Sequence, residues 1–325
     1  MGILSKIKLD KTDKKILAEL DQDCRIPSTI LAKNVLKSRQ AVEYRITQLT
    51  QKGLITSFNA SINPHRMGYK LFKVYLRLRN IPEVKKKLFE YLQSCGSVYW
   101  IGECSGSWDL IFAAFARNDY QFYELKNQLI SKFSSVIIEE DGEILIDVKQ
   151  YPKMYFTNKI HPPVQFGGEV SHSELEEVDY QILSQIVNEA RLPVNEIARR
   201  ITSTPIIVRS RLKKLEEKGI IIQYRLGVNL NLLGKELYKV ILRLDRYSKE
   251  DERKLLTYVS NLPQTQYLIR NLWQIELEFA VDSFQEYYNL IENLKKEFCY
   301  VIRTVESVLM ITDLWTPGFK NLLKK

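Results

Sequence analysis

The sequence is poor in the residues that build metal and redox chemistry. It holds 4 cysteines and 3 histidines in 325 residues. Cys24, Cys95, Cys104 and Cys299 never fall as C-x-x-C, and His65, His161 and His172 do not cluster. A zinc site needs grouped thiolates and imidazoles, and a disulfide framework needs closely and regularly spaced cysteines. Neither is expected, and the cysteines read as scattered reduced thiols in or near cores. No apolar run reaches the roughly 18 residues of a membrane-spanning helix. The stretch from Met1 to Leu9 interleaves Lys with apolar residues and lacks the continuous apolar core of a signal peptide, so a cytoplasmic chain with no membrane partner is expected. A P-loop, a dinucleotide-binding Gly-rich turn, G-x-S-x-G and H-E-x-x-H are also missing. No cofactor, metal or catalytic constellation is therefore expected.

What the sequence does contain is itself, twice. Shifting it by 166 positions aligns Leu9–Leu78 with Leu175–Leu244 without a gap, and 21 of those 70 positions are identical. Asp13 falls on Asp179, Arg25-x-Pro27 on Arg191-x-Pro193, Val42-x-x-Arg45 on Val208-x-x-Arg211, Gly68 on Gly234 and Arg77 on Arg243. A repeat of this length marks two copies of one module. Between them, residues 160–172 contain Pro162-Pro163 and Gly167-Gly168, which oppose a helix and read as a linker.

Each copy changes character part-way. The first part has helical periodicity in three short segments, with Ile16, Leu17 and Leu20 leading, then Leu31 and Val35, then Val42, Ile46 and Leu49. Ser38 and Thr204 are N-caps for the third segment, and Pro205 suits the first helical position. Gly53 and Gly219 end it, and a short strand follows. The second part reads β-α-β-β-α-β, the ferredoxin-like order. The expected fold class is α+β: two tandem copies of a helix-turn-helix domain plus a ferredoxin-like domain. The expected boundaries are 1–63 and 64–159 for copy one, 160–172 for the linker, 173–229 and 230–316 for copy two, and 317–325 for a tail.

The charge is segregated in the same way. Residues 1–80 carry 16 Lys and Arg against 6 Asp and Glu, and residues 173–246 carry 13 against 10, whereas residues 81–159 carry 9 against 11. The cationic excess sits on the helical parts, as neutralisation of a phosphate backbone requires. The expected partner is double-stranded DNA, with the third helix of each copy in the major groove. With Val42, Ile46 and Leu49 facing inward, Ser38, Arg39, Gln40, Glu43, Tyr44 and Thr47 are left for DNA. Arg45 suits a phosphate contact or a structural ion pair equally. In copy two, Ile206 stands where Gln40 does, so base reading is weaker there. Arg209, Arg211, Lys213 and Lys214 remain for phosphates. Copy one is expected to supply most of the sequence discrimination.

These residues resemble the Lrp/AsnC (feast/famine) family of transcriptional regulators. The resemblance rests on Leu9-Asp10-Lys11-Thr12-Asp13-Lys14-Lys15-Ile16-Leu17, on Asp23-Cys24-Arg25-Ile26-Pro27, on Ser38 through Ile55, and on Ile62-Asn63-Pro64 with Met67-Gly68-Tyr69. It covers residues 9–150 and 175–313. It implies a helix-turn-helix joined to a ligand-sensing ferredoxin-like domain (RAM), whose sheets pair into a dimer. In a tandem chain that pair would form internally, as a pseudo-dimer, with further homo-oligomerisation expected. The family's Gly-x-x-Asp effector loop is similar to Gly106-Ser107-Trp108-Asp109, so Gly106, Trp108 and Asp109 are candidates for an amino-acid effector, although a plain β-turn fits them too. Copy two has Asn271-Leu272-Trp273-Gln274 at this place and departs from the pattern. Leu36 and Thr202 occupy turn positions where the family has Gly. Trp108 and Trp273 align and are expected to pack rather than bind ligand.

Two other readings stay open. Siroheme decarboxylases resemble the same architecture and can be fused to this length, and His65 beside Arg66 would be the candidate acid and clamp. Alternatively, the chain is a sensing or assembly protein that keeps the fold without binding DNA.

Overall fold

The structure is a computed structural model that describes residues 6–157, 159, 161–245, 247–315 and 318–323. Residues 1–5 of the expected lead segment, residue 160 of the expected linker, and Pro317, Lys324 and Lys325 of the expected tail lie outside the described residues.

Copy one opens with α1 (Lys11–Gln22), α2 (Ser28–Val35) and α3 (Arg39–Gln51). A capping box starts α1: the Asp10 carboxylate accepts from the Asp13 backbone N–H, and Asp13 accepts from that of Asp10. Ser38 Oγ accepts from Ala41 N at 3.2 Å and starts α3. The expected apolar face is buried: Ile16, Leu17, Leu20, Leu31, Val35, Val42, Ile46 and Leu49 form one core. The turn between α2 and α3 passes through Leu36 at φ 56°, and its counterpart Thr202 has φ 52°. Both hold the left-handed conformation that Gly adopts most easily.

The chain continues through β1 (Ile55–Ile62), a 3-10 turn at Pro64–Arg66, β2 (Lys70–Leu78), α4 (Pro82–Ser94), β3 (Val98–Gly106), β4 (Leu110–Ala116), α5 (Asp119–Phe133) and β5 (Ile137–Gln150). A short strand β6 (Val164–Gly167) leads into copy two. There, α6 (Glu177–Ile186), α7 (Val194–Arg200) and α8 (Pro205–Glu217) precede β7 (Ile221–Val228) and the turn α9 (Leu230–Leu233). The second ferredoxin-like unit is β8 (Glu236–Leu244), α10 (Lys249–Ser260), β9 (Thr265–Asn271), β10 (Ile275–Val281), α11 (Phe284–Glu297) and β11 (Ile302–Met310). Last come β12 (Leu314–Trp315) and α12 (Gly318–Leu322).

Two pairings between the copies organise the molecule. First, β1 and β7 form an antiparallel ribbon, Asn59 opposite Arg225. Each helix-turn-helix rests on the other copy's ribbon strand: Cys24 N donates to Tyr224 O at 2.9 Å, and Ala190 N donates to Phe58 O at 2.8 Å. The core of α1–α3 therefore contains Leu226 and Leu232 of copy two. Second, the sheets run β5-β2-β4-β3 and β9-β10-β8-β11, and they join at both edges, β5 to β9 and β3 to β11. Each join places the last strand of one unit on the second strand of the other. Eight strands thus close on themselves, with α4, α5, α10 and α11 outside. The strands of an all-antiparallel ring alternate inward and outward residues, so each copy contributes alternate side chains to the interior.

The linker and the segment after residue 316 both carry local structure. Within the linker, β6 adds to β5, with Asp147 opposite Gly167. Gly167 passes so close to β5 that a Cβ there would lie 2.7 Å from Ile146 O. The segment after residue 316 is not a loose tail, because Leu322 and Leu323 are buried and Phe319 meets Tyr99 at 4.8 Å between ring centroids. Pro162-Pro163 does keep helix out of the connection, as their missing N–H groups demand.

Candidate DNA interface and the chamber behind it

On α3, Arg39, Gln40, Tyr44 and Thr47 are exposed, and Glu43 is half-buried. Tyr44 keeps 66% of its surface accessible. Arg39 Nε donates to Glu43 Oε1 at 2.8 Å along the helix, and this hydrogen bond holds the Glu43 carboxyl below its ordinary range. Thr47 Oγ1 donates to Glu43 O at 2.9 Å and is tied to its own helix. Ser38 spends its hydroxyl on the cap.

Arg45 turns away from that face. It donates to Asp10 and Asp13, both at 2.7 Å, and so binds α3 to the capping box of α1. Arg211 repeats this with Glu176 and, at 3.4 Å, Asp179. Of the two roles open to these arginines, the geometry places both in structural ion pairs. On α8, Arg209, Lys213 and Lys214 are exposed, and Ile206 and Ile207 stand out at 76% and 44% accessibility. The polar face of α3 and the apolar tip of α8 are therefore different surfaces on matching helices.

The Gly106-Ser107-Trp108-Asp109 loop is consumed by the join between the copies. Gly106 has φ 137°, and a Cβ on it would lie 2.4 Å from Ser307 O on β11. Trp108 is buried, and its Nε1 donates to Glu306 at 2.9 Å. Asp109 Oδ2 accepts from Leu78 N at 2.8 Å. All three residues thus have structural partners. The equivalent Trp273 does not pack as expected: it is 77% exposed.

Among apolar residues such as Leu71, Ile111 and Ile241, the interior of the ring holds a buried polar cluster, which the sequence reading missed. Glu276 is fully buried and accepts four hydrogen bonds: from Lys73 Nζ and Lys239 Nζ at 2.7 Å, and from Tyr75 OH and Asn271 Nδ2 at 2.6 Å. Lys239 also pairs with Glu278. Lys73 and Lys239 are duplicates of each other, whereas Ile111 and Ala113 stand on β4 where β10 has Glu276 and Glu278. The two cations press Glu276 well below the carboxylate range despite its burial. A signal was available: Gln274, Glu276 and Glu278 alternate along an otherwise apolar strand, the period that puts every second residue inside.

Between the β1/β7 ribbon and one mouth of the ring lies a chamber of about 160 Å³. Tyr99, Tyr155, Phe166 and Tyr267 form much of its wall, and Gln150, Lys153, Arg225 and Asp313 supply polar groups. Asp21, from α1, is buried at its rim and accepts from Lys153 Nζ at 2.6 Å and Arg225 Nε at 3.1 Å. Burial opposes the Asp21 charge, but these two cations hold its carboxyl at about 2, and burial lowers Lys153 to about 8. His65 is elsewhere, buried, with Nδ1 2.8 Å from Gly168 O.

Comparison with known proteins agrees with this layout. A winged helix-turn-helix DNA-binding family model matches residues 9–56 and again 175–222. The transcriptional regulator Ptr1 of Methanocaldococcus jannaschii is 30% identical over 113 residues, covering 34% of this chain and 74% of that protein. The regulator LrpA of Pyrococcus horikoshii is 29% identical over 131 residues, 39% of this chain and 90% of its own length. Each relative therefore spans one copy. Over both copies the chain resembles the siroheme decarboxylase NirDL in fold, with a TM-score of 0.65, 12% identity, and 97% of both chains covered. The repeated segments define a protein with two helix-turn-helix domains. The chain belongs to the Lrp/AsnC family of helix-turn-helix regulators.

Proposed function

We propose that the chain is a sequence-specific DNA-binding transcriptional regulator acting as an intramolecular pseudo-dimer, in which copy one reads bases and copy two holds phosphates. The carrying observation is the contrast between α3, with Arg39, Gln40 and Tyr44 exposed, and α8, with Ile206 and Ile207 exposed beside Arg209, Lys213 and Lys214. Arg and Gln present the paired donors and acceptors that distinguish base edges, whereas Lys and Arg beside apolar side chains grip the backbone. The β1/β7 ribbon ties the two reading heads together, so they approach the duplex as one body. Two heads tied in this way favour half-sites spaced by about 10 base pairs or a multiple of it. One half-site should be strongly defined and the other weakly. The boundaries proposed from the repeat, with DNA-binding units near 1–63 and 173–229, fit this role. A small-molecule effector, cytoplasmic location and further self-assembly belong to the same proposal.

The test is titration of the protein against the DNA upstream of its own gene, with unrelated competitor, at two salt concentrations. A loss of affinity that grows steeply with salt is expected, because released counterions set the slope. Arg39→Ala with Gln40→Ala should reduce discrimination between specific and competitor DNA by about 10-fold or more. Arg209→Ala with Lys213→Ala should weaken both alike and flatten the salt slope by about two contacts. Equal loss of discrimination in both variants would overturn the division of labour. Absence of binding at either salt would overturn the regulator reading.

A further inference from the structure

We propose that copy two reads one base by apolar contact: Ile206 of α8 seats on the C5 methyl group of a thymine in the major groove, while the cations behind it hold phosphates. This role rests on the DNA-binding reading, and it names the base that defines the second half-site.

The start of α8 is fixed twice over. Thr204 Oγ1 accepts from Ile207 N at 3.2 Å, and Pro205 fills the first helical position. Ile206 comes next and is 76% exposed, and Ile207 after it is 44% exposed. The core of copy two's helices takes Val208, Leu212 and Leu215 from α8 and leaves both isoleucines outside. A single apolar residue on a surface is ordinary. Ile206, however, stands at the place of Gln40, on the first turn of a recognition helix, where side chains meet base edges. Exposed Arg209 and Lys213 lie one and two turns further along the same side of the helix. An apolar tip backed by cations suits a groove floor between phosphate walls.

The chemistry of Ile selects the base. Its side chain has no donor or acceptor, so the hydrogen-bonding code of the major groove is closed to it. The apolar feature of that groove is the thymine methyl. Against an amine or a carbonyl on another base, Ile strips water and returns no hydrogen bond, which rejects that base. Branching at Cβ holds Ile to essentially one χ1 rotamer in a helix, so little side-chain freedom is lost on contact. Gln40 carries both a donor and an acceptor and is suited to an adenine edge instead. The two heads therefore read by different physics. A 5-methylcytosine presents the same methyl group, so copy two should also respond to methylation of a cytosine at that position.

The experiment begins with selection of duplexes from a random pool by the full chain. Each thymine of the less constrained half-site is then replaced in turn by deoxyuridine, which lacks only the methyl. One replacement should lower affinity about 4-fold, the worth of one buried methyl. Ile206→Ala should bind the thymine duplex about 4-fold more weakly and be indifferent to the uracil at that position. Cytosine there should bind more weakly than thymine, and 5-methylcytosine should recover most of the loss. Thermal melts check that the variant folds, as its exposed position leads one to expect. The proposal is overturned if no uracil effect depends on Ile206. It is also overturned if Ile206→Ala changes the sedimentation of the protein and leaves base preference intact, which would make the tip of α8 a protein-docking surface. Failure to select any sequence overturns the DNA-binding reading and this inference together. Selection of a second half-site that ignores the methyl overturns this inference alone.

Discussion

Arg25 and Arg191 each reach into the other's copy. Arg25 donates to the carbonyls of Ala190 and, at 3.2 Å, Leu192, while Arg191 donates to Cys24 O at 2.7 Å. Arg25 lies 5.3 Å over the Tyr224 ring and Arg191 5.5 Å over Phe58, positions that are themselves duplicates. The Arg-x-Pro step thus joins the two reading heads. Arg25→Ala or Arg191→Ala should each lower stability by about 1–3 kcal/mol, the scale of a charge-assisted hydrogen bond to backbone. Urea unfolding of the single variants measures this. A change under about 0.5 kcal/mol in both would mean the contacts are idle.

Leu36 costs the protein stability where it stands. It is 82% exposed and holds φ 56°, so it loses little packing if removed and gains relief if replaced by Gly. Leu36→Gly should stabilise by about 0.5–1 kcal/mol, the left-handed penalty less the chain entropy of Gly. Thermal melts of Leu36→Gly and Leu36→Val should move in opposite directions, since a β-branched residue tolerates positive φ worst.

Glu276 is the polar keystone of the ring interior. Replacing it with Leu removes the shared acceptor of the four donors named above; Lys239 keeps Glu278, but Lys73 loses its buried counter-charge, and the change should cost about 3–5 kcal/mol. Glu276→Gln should cost less, because its oxygen still accepts. Equal destabilisation by Gln and Leu would show that volume and not charge decides.

Glu143 predicts a pH slope. Burial raises its carboxyl from 4.5 to about 7, although Trp273 N donates to it at 3.2 Å. In the unfolded chain it ionises near 4.5, so between these values the folded state binds more protons. Stability from this group is then greatest below about 4.5, falls as pH rises, and levels off above 7. Asp21, held at about 2, is ionised in both states over this interval and adds no slope of its own. Glu143→Gln should reduce the fall, as unfolding free energies at several pH values would show.

Much of this was legible beforehand. The 166-residue repeat, the three-helix pattern, the caps at Ser38 and Thr204 and the ferredoxin-like order follow from local periodicity and composition, and local signals survive in a sequence. What stayed hidden depended on the distant pairing of segments. Strand β6 exists only because β5 runs past β2 to receive it. Arg45 could not choose between phosphate and carboxylate until α1 and α3 were packed. The chamber draws on β1, β7, the segment after β5 and the segment after β11, which share no spacing. Asp313 beside Trp100 was invisible because 213 residues separate them.

The closed ring of eight strands also bears on copy number. Regulators assembled from separate subunits lose their paired heads on dilution and can trade subunits with relatives in the same cell. Here each ring strand is hydrogen-bonded on both sides within one chain. The ring therefore offers no edge for exchange, and its pairing holds at any concentration. Each gene product carries a fixed left and right half. Such halves are free to diverge, as α3 and α8 have, because neither can meet a second copy of itself across the ring.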